Sequence, residues 1–336
     1  MAEVVTQNST KDLIDTEISK PIIKHIYTAD PSAHLFEGRI YIYPSHDIDA
    51  GIPLDDLGNH FAMEDYHILS METPHSEAID HGMALHVSDV PWAHQQMWAP
   101  DAAYKNGKYY LFFPAKKPDG IFQIGVATSE SPSGPFSPEP LPIEGSYSID
   151  PAVFEDIDGC HYIYFGGIWG GQLQKYRNNV FDEGNEEPSG NEPALCPRVA
   201  KLSDDLKHFS EKSRELLIID EKGNPLLAGD NDRRFFEASW MHRSNGKYYF
   251  SYSTGDTHFI CYAIGDNPYG PFTYQGRILN PVLGWTSHHS ICEFGDKSYL
   301  FYHDSSLSEG ITHLRSIKLT ELKYNSDGSI QTINPY

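Results

Sequence analysis

A chain of 336 residues is long enough for one large domain or two ordinary ones. Its net charge of −22 offers no basic footprint for nucleic acid or an anionic membrane surface. No stretch reaches the ~18 apolar residues that a membrane-spanning helix needs, whereas neutral partners such as sugars stay open. The 21 Tyr, 17 Phe and 5 Trp, set among 27 Gly and 23 Pro, favour short strands and turns over long helices.

In chain order, the first segment, "MAEVVTQNSTKDLIDTEISK", lacks the apolar centre of a signal peptide, so the expectation is a cytoplasmic protein. Residues 9–20 are the best helical candidate in the chain. Residues 1–26 read as a lead-in to a single domain, 27–336. That domain opens with "ADPSAHLFEGRIYIYP" from Ala29, and the same grammar returns four times. "APDAAYKNGKYYLFFP" starts at Ala99, "IDPAVFEDIDGCHYIYF" at Ile149, "FEASWMHRSNGKYYFSY" at Phe236 and "SHHSICEFGDKSYLFYH" at Ser287. Each has an acid or histidine, then a Gly turn, then an aromatic strand. The outer parts echo as well: "IGVATSESPSGPFSP" (124–138) matches "ICYAIGDNPYGPFTY" (260–274). Repeats long enough for a small sheet each predict an all-β, five-bladed β-propeller of four-stranded antiparallel sheets.

A propeller brings equivalent positions of successive blades to one axis. Asp30, Asp101, Asp150, Glu237 and the His288–His289 pair would then crowd one funnel. Carboxylates gathered this way repel one another, so the arrangement costs stability unless it has a use. Glycosidic-bond hydrolysis needs such a set. One carboxylic acid protonates the leaving oxygen, a carboxylate opposite activates water or attacks the sugar, and a third charge helps keep the acid protonated. Simpler readings stand beside this one. Asp30 and Asp150 each precede Pro and could be turn residues. Glu237 could pair with Arg233 or Arg234, and Trp98 could be core rather than a wall for a sugar face. Asp101 is the least suited to catalysis; it could hold a water or bond the blade. "HDIDAGIPLDD" (46–56) and "GDNDRR" (229–234) carry D-x-D spacing without a full calcium loop and read as solvated loops. Cys160, Cys196, Cys261 and Cys292 form no C-x-x-C pair and read as buried thiols.

The five motifs together resemble those of glycoside hydrolase family 43, whose members are five-bladed propellers with inverting β-xylosidase, α-L-arabinofuranosidase and arabinanase activities. The resemblance runs from Tyr27 to Leu319. It implies Asp30 as general base, Glu237 as general acid, and Asp150 as the residue that orients the acid and raises its pKa. It also implies that Arg315, in "HLRSIKL", contacts substrate, and that His288 holds a divalent cation, Ca2+ or Mn2+, on the propeller axis. The doublet leaves His289 beside it as a candidate substrate contact, with Trp98 as a sugar-stacking wall. The expected activity is release of xylose from the non-reducing end of neutral xylo-oligosaccharides. The alternatives are an α-L-arabinofuranosidase, a bifunctional enzyme, or an inactive sugar-binding propeller.

Overall fold

The computed structural model describes residues 18–336, so the helix expected over 9–20 lies almost wholly outside the described residues; Ile18, Ser19 and Lys20 are not helical. Among the described residues, twenty strands are gathered into five small sheets. The first blade is β1 (Tyr27–Phe36), β2 (Arg39–Asp47), β3 (Asp65–Met71) and β4 (Ile79–His86), and the second is β5 (Asp101–Lys105), β6 (Lys108–Lys116), β7 (Phe122–Ser129) and β8 (Ser137–Pro138). The third is β9 (Ala152–Glu155), β10 (His161–Phe165), β11 (Arg198–Lys201) and β12 (Arg214–Glu215). The fourth is β14 (Glu237–Ser244), β15 (Lys247–Ser253), β16 (Ile260–Gly265) and β17 (Phe272–Leu279), joined at its outer edge by the parallel β13 (Ile218–Ile219). The fifth is β18 (His289–Phe294), β19 (Lys297–Asp304) and β20 (Ser316–Leu322). The first strands of successive blades pack as a closed ring: β1 on β5, β5 on β9, β9 on β14, β14 on β18, and β18 on β1.

The turns explain why each blade starts as it does. Glu37–Gly38, Asn106–Gly107 and Asn245–Gly246 all have positive φ at both central positions. That is the type I′ geometry whose twist suits a two-residue hairpin. The strands themselves bury aromatic and β-branched side chains between blades. Ile40, Ile42 and Leu69 of the first blade pack with Phe301 and Ile317 of the fifth, and Tyr66 packs with Leu111 and Phe113 of the second.

The blades are not all four-stranded, which corrects the uniform repeat expected from sequence. The fifth has three strands and the fourth has five. The reason is edge coverage, because an open edge leaves backbone donors and acceptors without partners. After β20 the chain crosses to the fourth blade, where Ile333 exchanges backbone hydrogen bonds with Ile278 and Asn280 at the end of β17. The lead-in instead reaches the fifth blade, where the Ile22 N–H donates to the Ile317 carbonyl, and at the start of β1 the Thr28 N–H donates to the Arg315 carbonyl. Ile23 is buried among residues of the first and fifth blades, so this segment belongs to the ring closure. All four cysteines are free thiols, two buried and two half-buried. No described helix is long and apolar enough to cross a membrane.

Candidate active site

The starts of the five blades surround a cavity of about 520 Å³ on the axis, within the range of small-molecule sites. Asp30, Asp150, Glu237, His288, Arg315 and Trp98 all line it. The backbone at these positions departs from regular strand. β1 has a register shift between Ala29 and Ser32, and β14 has one between Glu237 and Trp240. Each bulge re-aims a carboxylate out of the ladder toward the axis. Pro31, which has no N–H to donate, sits at the bulge where none is required. Asp30 (φ 49°), Asp150 (φ 56°) and Ala238 (φ 63°) are left-handed. Each such residue stores about 1–3 kcal/mol of strain, and strain of this kind gathers at functional sites.

Asp30 is held by three neighbours. Ser45 Oγ donates to Oδ2 at 2.7 Å, Arg315 Nη1 donates to Oδ1 at 2.9 Å, and the Asp30 N–H donates to His303 Nδ1 at 3.0 Å. Burial works to raise its pKa, but Arg315, His303, His288 and the Ser45 hydrogen bond outweigh it and bring the group down to about 2. Asp30 is therefore ionised at any ordinary pH. His303 accepts the Asp30 N–H on Nδ1, so its proton sits on Nε2, 3.1 Å from the Thr286 carbonyl. Burial, with Arg315 beside it, lowers His303 to about 3 and keeps it neutral.

Glu237 is the opposite case. Its carboxyl makes no hydrogen bond or ion pair among the described residues. Burial and the negative charge of Asp30 push its pKa up to about 8, with Arg315 opposing. The alternative of a pair with Arg233 or Arg234 is not what forms: Arg233 pairs with Asp230, and Arg234 lies near Glu187 and Asp256. Asp150 is also pushed up, by burial, Glu237 and Asp30. It accepts the Ala238 N–H at 2.8 Å, which favours its ionised form, whereas Glu237 has no such donor. Both carboxyls are thus driven toward the protonated form, Asp150 against the pull of the Ala238 N–H and Glu237 with no donor of its own. Asp30 sets a negative charge against Glu237, and Asp150, coupled to Glu237 by charge, also reaches it through the backbone of Ala238.

Arg315 is fixed on its far side by Asp47, which takes Nε at 2.8 Å and Nη2 at 2.7 Å. The guanidinium lies over the Phe61 ring at 4.9 Å. Trp98 packs edge-on against the same ring and donates from Nε1 to the Phe61 carbonyl at 2.8 Å. The other wall is Trp169 and Trp285, with ring centres 5.7 Å apart and both against Phe236.

Two residues that the repeat places at the funnel do not reach the cavity. His289 is fully buried, with Nε2 bonded to Ser251 Oγ at 2.6 Å, so the structure does not bring it to a substrate. Adjacent residues of a strand start face opposite ways, and His288 is the one turned inward. Asp101 ties blades together: it accepts from Ser32 and His34 of β1 and from the Val153 N–H of β9. The solvated-loop reading of 46–56 is also corrected in part. Asp47 is buried on Arg315, and Leu54, Asp55 and Asp56 line the cavity. Asp55 shapes that loop by accepting the N–H groups of Leu57 and Asn59. Sequence reasoning missed Phe61, Trp169, Trp285 and His303. "GGIWGG" and "LGWTSHH" held a signal, a tryptophan among glycines. Gly167 and Gly170 let that loop come close: a Cβ on Gly170 would sit 2.5 Å from the Leu57 carbonyl oxygen.

The chain matches the family described as Glycosyl hydrolases family 43 over residues 18–330. It belongs to that family. The xylosidase/arabinosidase 43A of Humicola insolens is 60% identical, over 94% of this chain and 99% of that protein. A β-xylosidase of Xylanibacter ruminicola is 54% identical over 94% and 99%. Among solved structures, a family 43 β-xylosidase/α-arabinofuranosidase from a compost metagenome superposes with a TM-score of 0.93. It is 63% identical, with 95% of this chain and 98% of that one covered, and is described as a complex with xylotriose in a calcium-free form. This family 43 protein is therefore a glycoside hydrolase.

The donor set near the axis suits a cation. His288 Nδ1 lies 3.8 Å from both Asp30 Oδ1 and Asp150 Oδ2, beyond hydrogen-bond range. The imidazole makes no hydrogen bond to protein among the described residues. Burial lowers its pKa to about 4, so it is neutral and free to donate a lone pair. One such nitrogen beside an excess of carboxylate fits a divalent cation completed mostly by water.

Proposed function

We propose that this enzyme is an inverting, exo-acting β-xylosidase that releases xylose from the non-reducing end of xylo-oligosaccharides. The observation that carries the reading is the split in acidity within one pocket. Glu237 is held protonated to about pH 8, while Asp30 is ionised above about pH 2. Groups pushed apart in this way suit general acid and general base. Glu237 donates its proton to the glycosidic oxygen as the bond to the anomeric carbon breaks. Asp30 takes a proton from a water that attacks the opposite face of that carbon. The product then has inverted configuration, Glu237 is left ionised and Asp30 protonated, and exchange with solvent resets both. Asp150, through the Ala238 N–H, keeps the strand start that carries Glu237 in place. Arg315 holds Asp30 charged, and with Nε on Asp47 and Nη1 on Asp30 and Thr286 it leaves one Nη2 N–H for the sugar. Residues from all five blades wall the cup, which suits a chain end better than a chain interior. The apolar walls of Trp98 and Phe61 suit the C–H faces of a pentose.

His288 is the residue that would hold Ca2+ or Mn2+, and such an ion would supply a fixed positive charge that offsets the carboxylates. The test is proton NMR of fresh product from xylobiose, with an aryl β-xyloside and an aryl α-L-arabinofuranoside run alongside. Release of α-xylose first supports the proposal; retained β-product overturns Asp30 as base. Stripping with EDTA should lower kcat, with calcium restoring it in wild type and not in His288→Ala. Full activity without metal removes the cation role. The second reading, activity on α-L-arabinofuranosides, is favoured by the double activity in the names of the Humicola and compost relatives. Faster turnover of the arabinofuranoside would put it first.

A further inference from the structure

Away from the cavity, the outer part of the first blade gathers a second set of metal-type ligands. His46 and Asp47 are neighbours on β2, so their side chains leave opposite faces. Asp47 turns to Arg315, and His46 turns the other way. On β3, Asp65 and His67 are two apart and share a face. The ladder pairs Ile42 with Leu69, and continuing that register sets His46 opposite Asp65. The three side chains converge. His46 Nδ1 lies 2.7 Å from Asp65 Oδ1, His67 Nε2 lies 3.6 Å from Asp65 Oδ2, and the imidazole centres are 4.6 Å apart. One donor atom from each of the three falls within 4.8 Å of the others.

We propose that His46, Asp65 and His67 form a binding site for a borderline divalent metal of the Zn2+ class, separate from the cation site at His288. Zinc bonds of about 2.0–2.2 Å in tetrahedral geometry place neighbouring donors roughly 3.3–3.5 Å apart. The two distances run to different oxygens of Asp65, 2.7 Å to Oδ1 and 3.6 Å to Oδ2, so binding draws the side chains in until one donor from each meets the ion. The independent sign is what stands behind it. His67 Nδ1 lies 3.0 Å from Asp80 Oδ1, and Asp80 is held in turn by the Gly82 N–H at 2.8 Å and His25 Nε2 at 2.8 Å. A carboxylate behind a histidine fixes the ring so that the other nitrogen faces the metal. That nitrogen, Nε2, is too far from Asp65 for a hydrogen bond and has no other hydrogen-bond partner among the described residues.

Two imidazoles and one carboxylate disfavour calcium, which takes six to eight oxygens, and match zinc with water in the fourth position. The side chains of His46, Asp65 and His67 are 18%, 13% and 17% exposed, so an ion can enter from solvent. The bound metal would clip β2 to β3 on the far face of the strand whose Asp47 grips Arg315.

Tag-free protein stripped of metal, then equilibrated with ZnCl2, provides the test. Zinc per chain is measured by mass spectrometry, Tm by calorimetry, and the coordination by visible absorption after Co2+ substitution. Wild type and His288→Ala should each take up an equivalent that His46→Gln and His67→Gln lack. Zinc should raise Tm in the first pair only, and Co2+ should show tetrahedral absorption there. Asp80→Asn should weaken zinc binding by about 10- to 100-fold. Asp65→Asn, nearly isosteric, serves where a histidine variant fails to fold, and it too should lose the equivalent. Equal uptake by wild type and the ligand variants, or loss of zinc in His288→Ala alone, overturns the proposal.

Discussion

Two carboxylates in one cup are driven in opposite directions by what stands next to them. Asp30 has a guanidinium, a hydroxyl and two imidazoles nearby; Glu237 has burial and a negative charge. The consequence is kinetic first. Glu237→Ala should spare an aryl xyloside with a good leaving group and cut xylobiose turnover by about 10²–10⁴-fold. Asp30→Ala should cut both. Parallel kcat/KM measurements on the two substrates check this, and equal losses for Glu237→Ala would remove it as the acid. The second consequence is thermodynamic. Folded Glu237 keeps its proton to about pH 8, against an ordinary value of 4.5, so the folded state binds more protons between those limits. Stability from this group therefore falls as pH rises through that window. Glu237→Gln should stabilise the protein by on the order of 1–3 kcal/mol near pH 7.5, with no gain below about pH 4. Chemical denaturation at the two pH values measures it. Asp30 runs the other way: its contribution is present above its ordinary 3.8 and is lost as pH falls toward about 2.

Elements matter where they interrupt their own regularity. The bulges at the starts of β1 and β14 give Asp30 and Glu237 their direction, and the loop after β10 is pressed against the second of them. A Cβ on Gly167 would lie 2.6 Å from Ile149 Cδ1 and 3.2 Å from Glu237 Cβ. Gly167→Ala should therefore destabilise by about 1–3 kcal/mol through overpacking and lower kcat more than it raises KM. Steady-state kinetics with a melting curve check it. Unchanged kcat would mean that Ile149 alone gives way. Asp101 shows the converse, a carboxylate in the same repeat position used to bind β1 and β9 to β5.

At the scale of the molecule the site exists only because the ring closes. Five blade starts meet around one cavity, and the first and last blades are held by Ile22, Ile23 and Thr28 as well as by the shared core. Truncation through Ile23 should lower stability by about 2–4 kcal/mol, the loss of a buried aliphatic side chain and a backbone hydrogen bond. Calorimetry of the truncated protein against wild type checks it. A Tm unchanged by the cut would show that core contacts alone close the ring.

Much of this was legible in one dimension. Hairpin turns and aromatic strands are local chemistry, so Asn106–Gly107 and Asn245–Gly246 announce their geometry in the residues themselves. Repetition then brings Asp30, Asp150, Glu237 and His288 to a common axis. Which way each side chain faces is not local. Asp101 and His289 share the repeat position with the pocket residues, yet one bonds neighbouring strands and the other is buried against Ser251. Edge coverage, which leaves the last blade three-stranded, depends on where the termini run after folding. The acidities are the most tertiary property of all. Glu237 is raised by Asp30, more than two hundred residues away in the chain, and Asp30 is lowered by Arg315 from the last blade. Coulomb energy depends on distance through space and on burial, and neither exists until the five sheets have closed.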